Sequence, residues 1–364
     1  MTTATAAQLI RIARLRRFVG VFARGGDREA TSEALAELSR AARDGGLAGD
    51  ALRRARQAAE LLADGDAGEA GVRSLLQLGA ACLGTGDAEA AAAAASVAQD
   101  RAAALDRPLR AGLIGCAALL GGIAHALRGD EPAALACLAE ARERLVAAHQ
   151  PEGAALALTQ QALIDTAAGR LDGAEICFRF ARDFHRMSDP AAAAELAALA
   201  ARALAEAGAP AADRWFREAI AEADRAASRL LGAELAVEHA AHLERAGDRA
   251  AAHTAAADAA RRSAPLAEPA AREVALRARQ QLVRLTDDPK DALRHLEAAF
   301  ELALDLGNPA ALGGAMEALV TGLVDRRFTE GGWRLVDRFR ERLGRAGFDA
   351  LAGTAAAALD DLRP

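Results

Sequence analysis

Two histidines three residues apart, flanked by carboxylates, come closest in this chain to a reaction centre. They lie in the segment VEHAAHLE, where His239 and His242 share a helical face beside Glu238 and Glu244. Two imidazoles at that spacing can share a metal ion. The sequence fixes no third ligand and contains no H-E-x-x-H, so the plainer reading is a pair of groove-facing or partly buried histidines. The other five histidines, His125, His149, His185, His253 and His295, are scattered. The four cysteines, Cys82, Cys116, Cys137 and Cys177, include no close pair. Each sits in an apolar helical stretch, where a free thiol behaves as a small hydrophobe. That usage fits a reducing compartment, and a cytoplasmic location is expected. No G-x-S-x-G elbow, P-loop or dinucleotide fingerprint occurs. Gly121-Gly122 and Gly313-Gly314 fall inside helical patterns and read as close-packing points. No catalytic, metal or cofactor residue is therefore assigned, no cofactor is expected, and the chain reads as a non-enzyme.

The elements that carry these residues are helices. Hydrophobic residues make up 52% of the 364, but much of that share is alanine, the best helix former, and there is no tyrosine. The Val/Ile-rich runs that a parallel sheet needs are absent. The net charge of −6 lacks the basic excess that phosphate binding demands, so nucleic acid is not expected as a partner. No apolar stretch of membrane-spanning length stands out, and no membrane span is expected. Gln8–Arg24 carries five arginines and no acid. It is either a basic amphipathic helix that meets a membrane or partner, or a first packed helix with Leu9, Ile12, Phe18, Val19 and Phe22 turned inward.

An alanine returns at a nearly fixed interval. Ala91, Ala134, Ala174, Ala212, Ala252 and Ala292 mark the series and Gly332 holds the next slot, with gaps of 43, 40, 38, 40, 40 and 40. Gly86, Gly129, Gly169, Gly208 and Gly247 precede their markers by four or five residues. Such a period signals stacked supersecondary units, each burying its apolar stripe against the next. Helices are expected over 5–24, 28–44, 48–64, 68–84, 88–106, 110–128, 132–149, 153–168 and 173–187. The series continues over 190–207, 211–230, 233–246, 249–263, 269–285, 290–306, 309–326, 331–345 and 348–361. Glycine ends a helix in the left-handed conformation and the aspartate beside it caps the next.

These residues resemble the tetratricopeptide repeat family, in a long-period form found in bacterial signalling proteins. Leu78-Gly79, Gly86-Asp87 and Ala91–Ala95–Ala98 follow its pattern. So do Gly129-Asp130 with Ala134–Leu138–Ala141, and Gly169 with Ala174–Phe178–Ala181. Later copies are Ala212–Phe216–Ala219, Ala252–Ala256–Ala259 and Ala292–Leu296–Ala299, ending in a degenerate Gly332–Val336–Phe339. The resemblance implies an all-α fold, a right-handed α-α superhelix of antiparallel helix pairs. It covers 68–345, with 1–67 as an N-terminal helical cap or divergent repeat and 346–364 as a C-terminal capping helix.

In this family the first helix of each pair lines the concave groove. The projected register turns Leu76, Leu83, Leu119, Ile123, Thr159 and Leu163 inward as an apolar floor. It places Arg202, Arg277, Gln281 and Arg284 further on, with Glu317 and Asp325 beyond. The function implied is a scaffold or adaptor whose groove binds a peptide or helix of a partner protein, with an acidic end meeting the arginines. The alternative is a ligand-sensing regulatory module of a bacterial signalling or transcription-control system.

Overall fold

The computed structural model describes residues 15–16, 19, 21–63, 68–186, 189–325, 328 and 330–348. Residues 349–361 of the helix expected over 348–361, and residues 5–14, 17, 18 and 20 of the one expected over 5–24, lie outside them. Among the described residues the secondary structure is helical, with no strand.

Eight helix pairs follow one another. They are α1 Arg28–Asp44 and α2 Ala48–Leu61, α3 Gly68–Gly84 and α4 Ala88–Ala103, α5 Arg107–Leu127 and α6 Glu131–Ala147, and α7 Pro151–Ala167 and α8 Leu171–Arg186. The next are α9 Pro190–Glu206 and α10 Ala212–Arg225, α11 Arg229–Arg245 and α12 Arg249–Ser263, α13 Pro269–Leu285 and α14 Pro289–Asp305, and α15 Pro309–Val324 and α16 Glu330–Arg345. The chain divides into two compact units, Met1–Ser188 and Asp189–Pro364, with four pairs in each.

The turns form for the reasons the sequence suggests. After α3, Gly86 takes φ +81, its N–H donates to the Leu83 carbonyl, and the Asp87 N–H donates to Cys82. An L side chain is strained at that φ. The Asp87 carboxylate then accepts from the Ala90 N–H at 3.0 Å and caps α4. Asp27, Asp130 and Asp248 cap α1, α6 and α12 in the same way.

Packing follows the recurring small residues. Ala91, Ala134, Ala174, Ala212, Ala252 and Ala292 are all fully buried. In the second pair Gly79 abuts Leu120, and in the third an added Cβ at Gly122 would lie 2.8 Å from Leu138 Cγ. Gly122 is thus a close-packing point, as the sequence suggests. Gly313 and Gly314 are not, since nothing stands within 4 Å of a Cβ built on either.

Residues 1–67 were expected as a cap or a divergent repeat, and two further departures have physical causes. Residues 28–61 form a complete pair whose first helix packs on α3 as α3 packs on α5. Its sequence mark is Ala51–Ala55–Ala58, all buried, with Ala51 forty residues before Ala91. First, α10 ends at Arg225 and α11 begins at Arg229, not near Gly232. Ala227 makes the turn at φ +54, and Gly232 instead leaves room for Arg262, whose Nη1 would lie 3.3 Å from a Cβ there. Second, Leu109–Leu127 is long and apolar enough to cross a membrane by length and composition, contrary to the expectation. It is the core of α5 and packs against α3, α4, α6 and α7.

Candidate functional site

In the first unit, α1, α3 and α5 together enclose a groove of about 530 Å³. Its walls carry Glu33, Glu37 and Arg40 from α1, Arg73, Leu76 and Gln77 from α3, and Leu113 and Cys116 from α5. Gln150, the residue before α7, closes one end; Gly112 makes space for it, since a Cβ there would lie 2.6 Å from its Nε2. The Cys116 thiol lies 3.9 Å from Gln150 Oε1, and burial pushes its pKa up. Arg40 pairs with Glu37 at 2.7 Å, and Arg73 pairs with Glu69. Gln77 Oε1 is shut off from solvent and accepts no hydrogen bond from the described residues. A buried carbonyl oxygen left in that state costs about 1–3 kcal/mol, which a ligand N–H would recover once the Gln77 side chain turns into the groove.

The floor is less apolar than the sequence suggests. Leu76 lines the groove, while Leu83 is half-buried beside Cys82, Ala91 and Ala124. Leu119 belongs to the core around Leu138 and Leu145, with Ile123 packed against it. Thr159 is buried and donates to the Ala155 carbonyl at 2.8 Å; Leu163 is half-buried. These side chains therefore serve packing more than an open wall.

In the second unit the projected arginines reach first-helix positions, but two of them are already neutralised. Arg202 grips Glu238 through two hydrogen bonds of 2.7 and 3.0 Å. Arg284 grips Glu244 likewise, at 3.2 and 3.0 Å. Gln281 is buried in the α11–α13 seam, donating from Nε2 to the Val237 carbonyl at 3.0 Å. Arg277 is exposed and makes no ion pair among the described residues. A cleft of about 440 Å³ opens between α13 and α15, lined by Gln280, Val283, Arg284, Glu317, Thr321 and Asp325 over Leu296 and Ala299 of α14.

The histidine pair does not converge on a shared metal position. His239 is buried, its Nε2 lies 2.8 Å from Asp213 Oδ1, and its ring stacks on Phe216. His242 leans on the same phenyl ring, and burial followed by Arg245 lowers its pKa. Burial alone would raise the Asp213 carboxyl, but hydrogen bonds from His239 and Arg217 outweigh it and hold it below the usual range. Among the described residues no group of three or more His, Cys, Asp or Glu is placed to hold a metal. His239 instead floors a cleft of about 880 Å³ between the second helices α10 and α12, with Ile220, Leu243 and Ala255. Arg262 bridges Asp224 and Asp258 nearby, which raises its pKa further.

No family model matches the sequence, and no curated protein matches it. Solved structures do. A signal transduction ATPase with numerous domains and a tetratricopeptide repeat sensor, from Pyrococcus horikoshii, superposes with TM-score 0.50 at 13% identity, over 99% of this chain and 55% of that one. The chain has the fold of a tetratricopeptide-type helical repeat. Structural neighbours also include a Rap protein complexed with competence and sporulation factor, at TM-score 0.39 and 12% identity, over 92% and 98% of the two chains. BtubC from P. vanneervenii gives TM-score 0.47 at 16% identity, over 62% of this chain and 91% of that one. At these identities the likeness concerns the fold alone.

The sequence reading missed Gln77, Gln150, Glu33 and Glu37. The last two were findable: the forty-residue step from Ala51 to Ala91 makes α1 a first helix and turns its face to the groove.

Proposed function

We propose that this protein is a non-enzymatic scaffold or adaptor that holds a segment of a partner protein against the first-helix face of its repeats. One observation carries the reading. The first-unit groove is built from first helices and the residue capping another, and it is lined by Gln77, whose buried Oε1 accepts no hydrogen bond from the described residues. A peptide segment offers one backbone N–H per non-proline residue, which suits such an acceptor. Preformed helical walls lower the ordering cost of binding. Capture of partners from the native cytoplasm tests this. Arg73→Glu and Gln77→Leu are expected to lose the partner that wild type captures, while Arg214→Glu on second helix α10 keeps it. Equal capture by all four proteins refutes the reading.

The rival reading, a ligand-sensing regulatory module, is favoured by the 880 Å³ cleft over His239. It predicts that a metabolite library raises the melting temperature and that Ala255→Trp, which fills the cleft, abolishes the rise.

A further inference from the structure

The seam between first helices is closed in one place and open in the next. Between α11 and α13 it is shut: Val274, Ala278 and Gln281 of α13 are all buried there, and Gln281 bonds α11 directly. The same positions one repeat later, forty residues on, are Gly314, Ala318 and Thr321 of α15. Gly314 and Thr321 are exposed, Ala318 is half-buried, and all three line the 440 Å³ cleft. The preceding turn also differs. Asp287 stands where other repeats carry glycine, and α13 leaves through an extended Thr286 with ψ 126 instead of a left-handed turn.

The charges in the second unit sharpen what such a cleft would take. The arginines that would attract an acidic segment, Arg202 and Arg284, are neutralised by Glu238 and Glu244. Glu317 and Asp325, on the α15 wall, are exposed and make no ion pair among the described residues. Between and below them lie Val283, Leu296 and Ala299, an apolar bed for a methylene stem. Gln280 and Thr321 add side-chain oxygens that can accept hydrogen bonds.

We propose that the α13–α15 cleft receives a lysine or arginine side chain of the bound segment, its stem on Val283 and Leu296 and its charged head between Glu317 and Asp325. The partner segment is therefore basic at this point, the opposite of the acidic end that the arginine positions suggest in sequence. This rests on the first-helix reading proposed above.

The test uses the full chain and two labelled twelve-residue Ala/Leu peptides, one with lysine and one with glutamate at every third position, in fluorescence anisotropy at physiological salt. The lysine peptide is expected to bind tighter than the glutamate peptide. Glu317→Lys/Asp325→Lys should weaken it at least tenfold, and Ala318→Trp, which fills the cleft without changing charge, at least fivefold. Asp287→Lys, on a loop carboxylate that is 96% exposed, should change it less than twofold. Circular dichroism confirms that each variant stays helical. Equal weakening by Asp287→Lys overturns the proposal, because the attraction is then the general field of the protein. Tighter binding of the glutamate peptide, or no binding of the lysine peptide, also overturns it. In the former case, if Gln77→Leu and Arg73→Glu weaken the glutamate peptide, the first-helix reading survives alone.

Discussion

Gly122 and Leu138 allow the packing logic of the repeat to be tested with numbers. Leu138 is fully buried, and its Cγ and Cδ2 lie 2.8 and 2.9 Å from where a Cβ on Gly122 would stand. Replacing Gly122 with alanine improves helix propensity by about 1 kcal/mol. It also drives a methyl into Leu138, and overpacking of that kind costs about 1–3 kcal/mol. The net expectation is a loss of about 1 kcal/mol. Leu138→Ala leaves a cavity and should cost about 3 kcal/mol. In the double variant the methyl meets empty space, so the clash vanishes and the propensity gain returns. The Ala134 carbonyl, 3.3 Å from that Cβ, still crowds it. The double variant should therefore cost about 2 kcal/mol, not the additive total of about 4. Hydrogen exchange of α5 and α6 amides is the suitable assay, because repeat arrays open locally. Additivity within about 0.5 kcal/mol would refute the idea that one small residue exists to admit one large one.

Other outcomes follow from the same geometry. His295 Nδ1 lies 2.9 Å from Arg279 Nη1, and burial, then Arg279 and His253, push its pKa down to about 4. An unfolded chain binds that proton near pH 6.5, so this contribution to stability is complete above pH 6.5 and is lost as pH falls towards 4. His295→Gln should flatten that part of the stability–pH curve in urea titrations; an unchanged slope contradicts it. Glu238→Gln with Glu244→Gln frees Arg202 and Arg284, and should raise affinity for the glutamate peptide at least threefold in the same anisotropy assay. Burial raises the pKa of all four thiols, and Cys82 and Cys177 are also closed to solvent. A thiol reagent on native protein should label Cys116 and Cys137 slowly and the other two only after denaturation.

The fold was legible because its signals are local. Glycine-aspartate turns and an alanine at a fixed step need no knowledge of distant residues, and they placed most helices to within a few positions. The turn at Ala227 escaped because alanine there adopts a conformation that its type disfavours, while Gly232, just before the expected start of the next helix, lies inside α11 and leaves room for Arg262. The site was harder for a related reason. Projecting single helices showed that Arg202 and Arg284 reach the first-helix face. It could not show that Glu238 and Glu244, 36 and 40 residues away, neutralise them. Leu119 and Thr159 illustrate the converse, since an inward-pointing residue on one helix becomes core once the next helix is stacked on it.

The most direct measurement is a photo-crosslinking scan in the cells that make the protein. A photoreactive residue is placed in turn at Leu76, Gln77, Gln280 and Glu317 on first helices, and at Val146, Phe180 and Thr254 on second helices. Covalent adducts to one partner protein from the first set, and none from the second, are what a scaffold using its first-helix face produces. Adducts confined to Val146, Phe180 or Thr254 would contradict it.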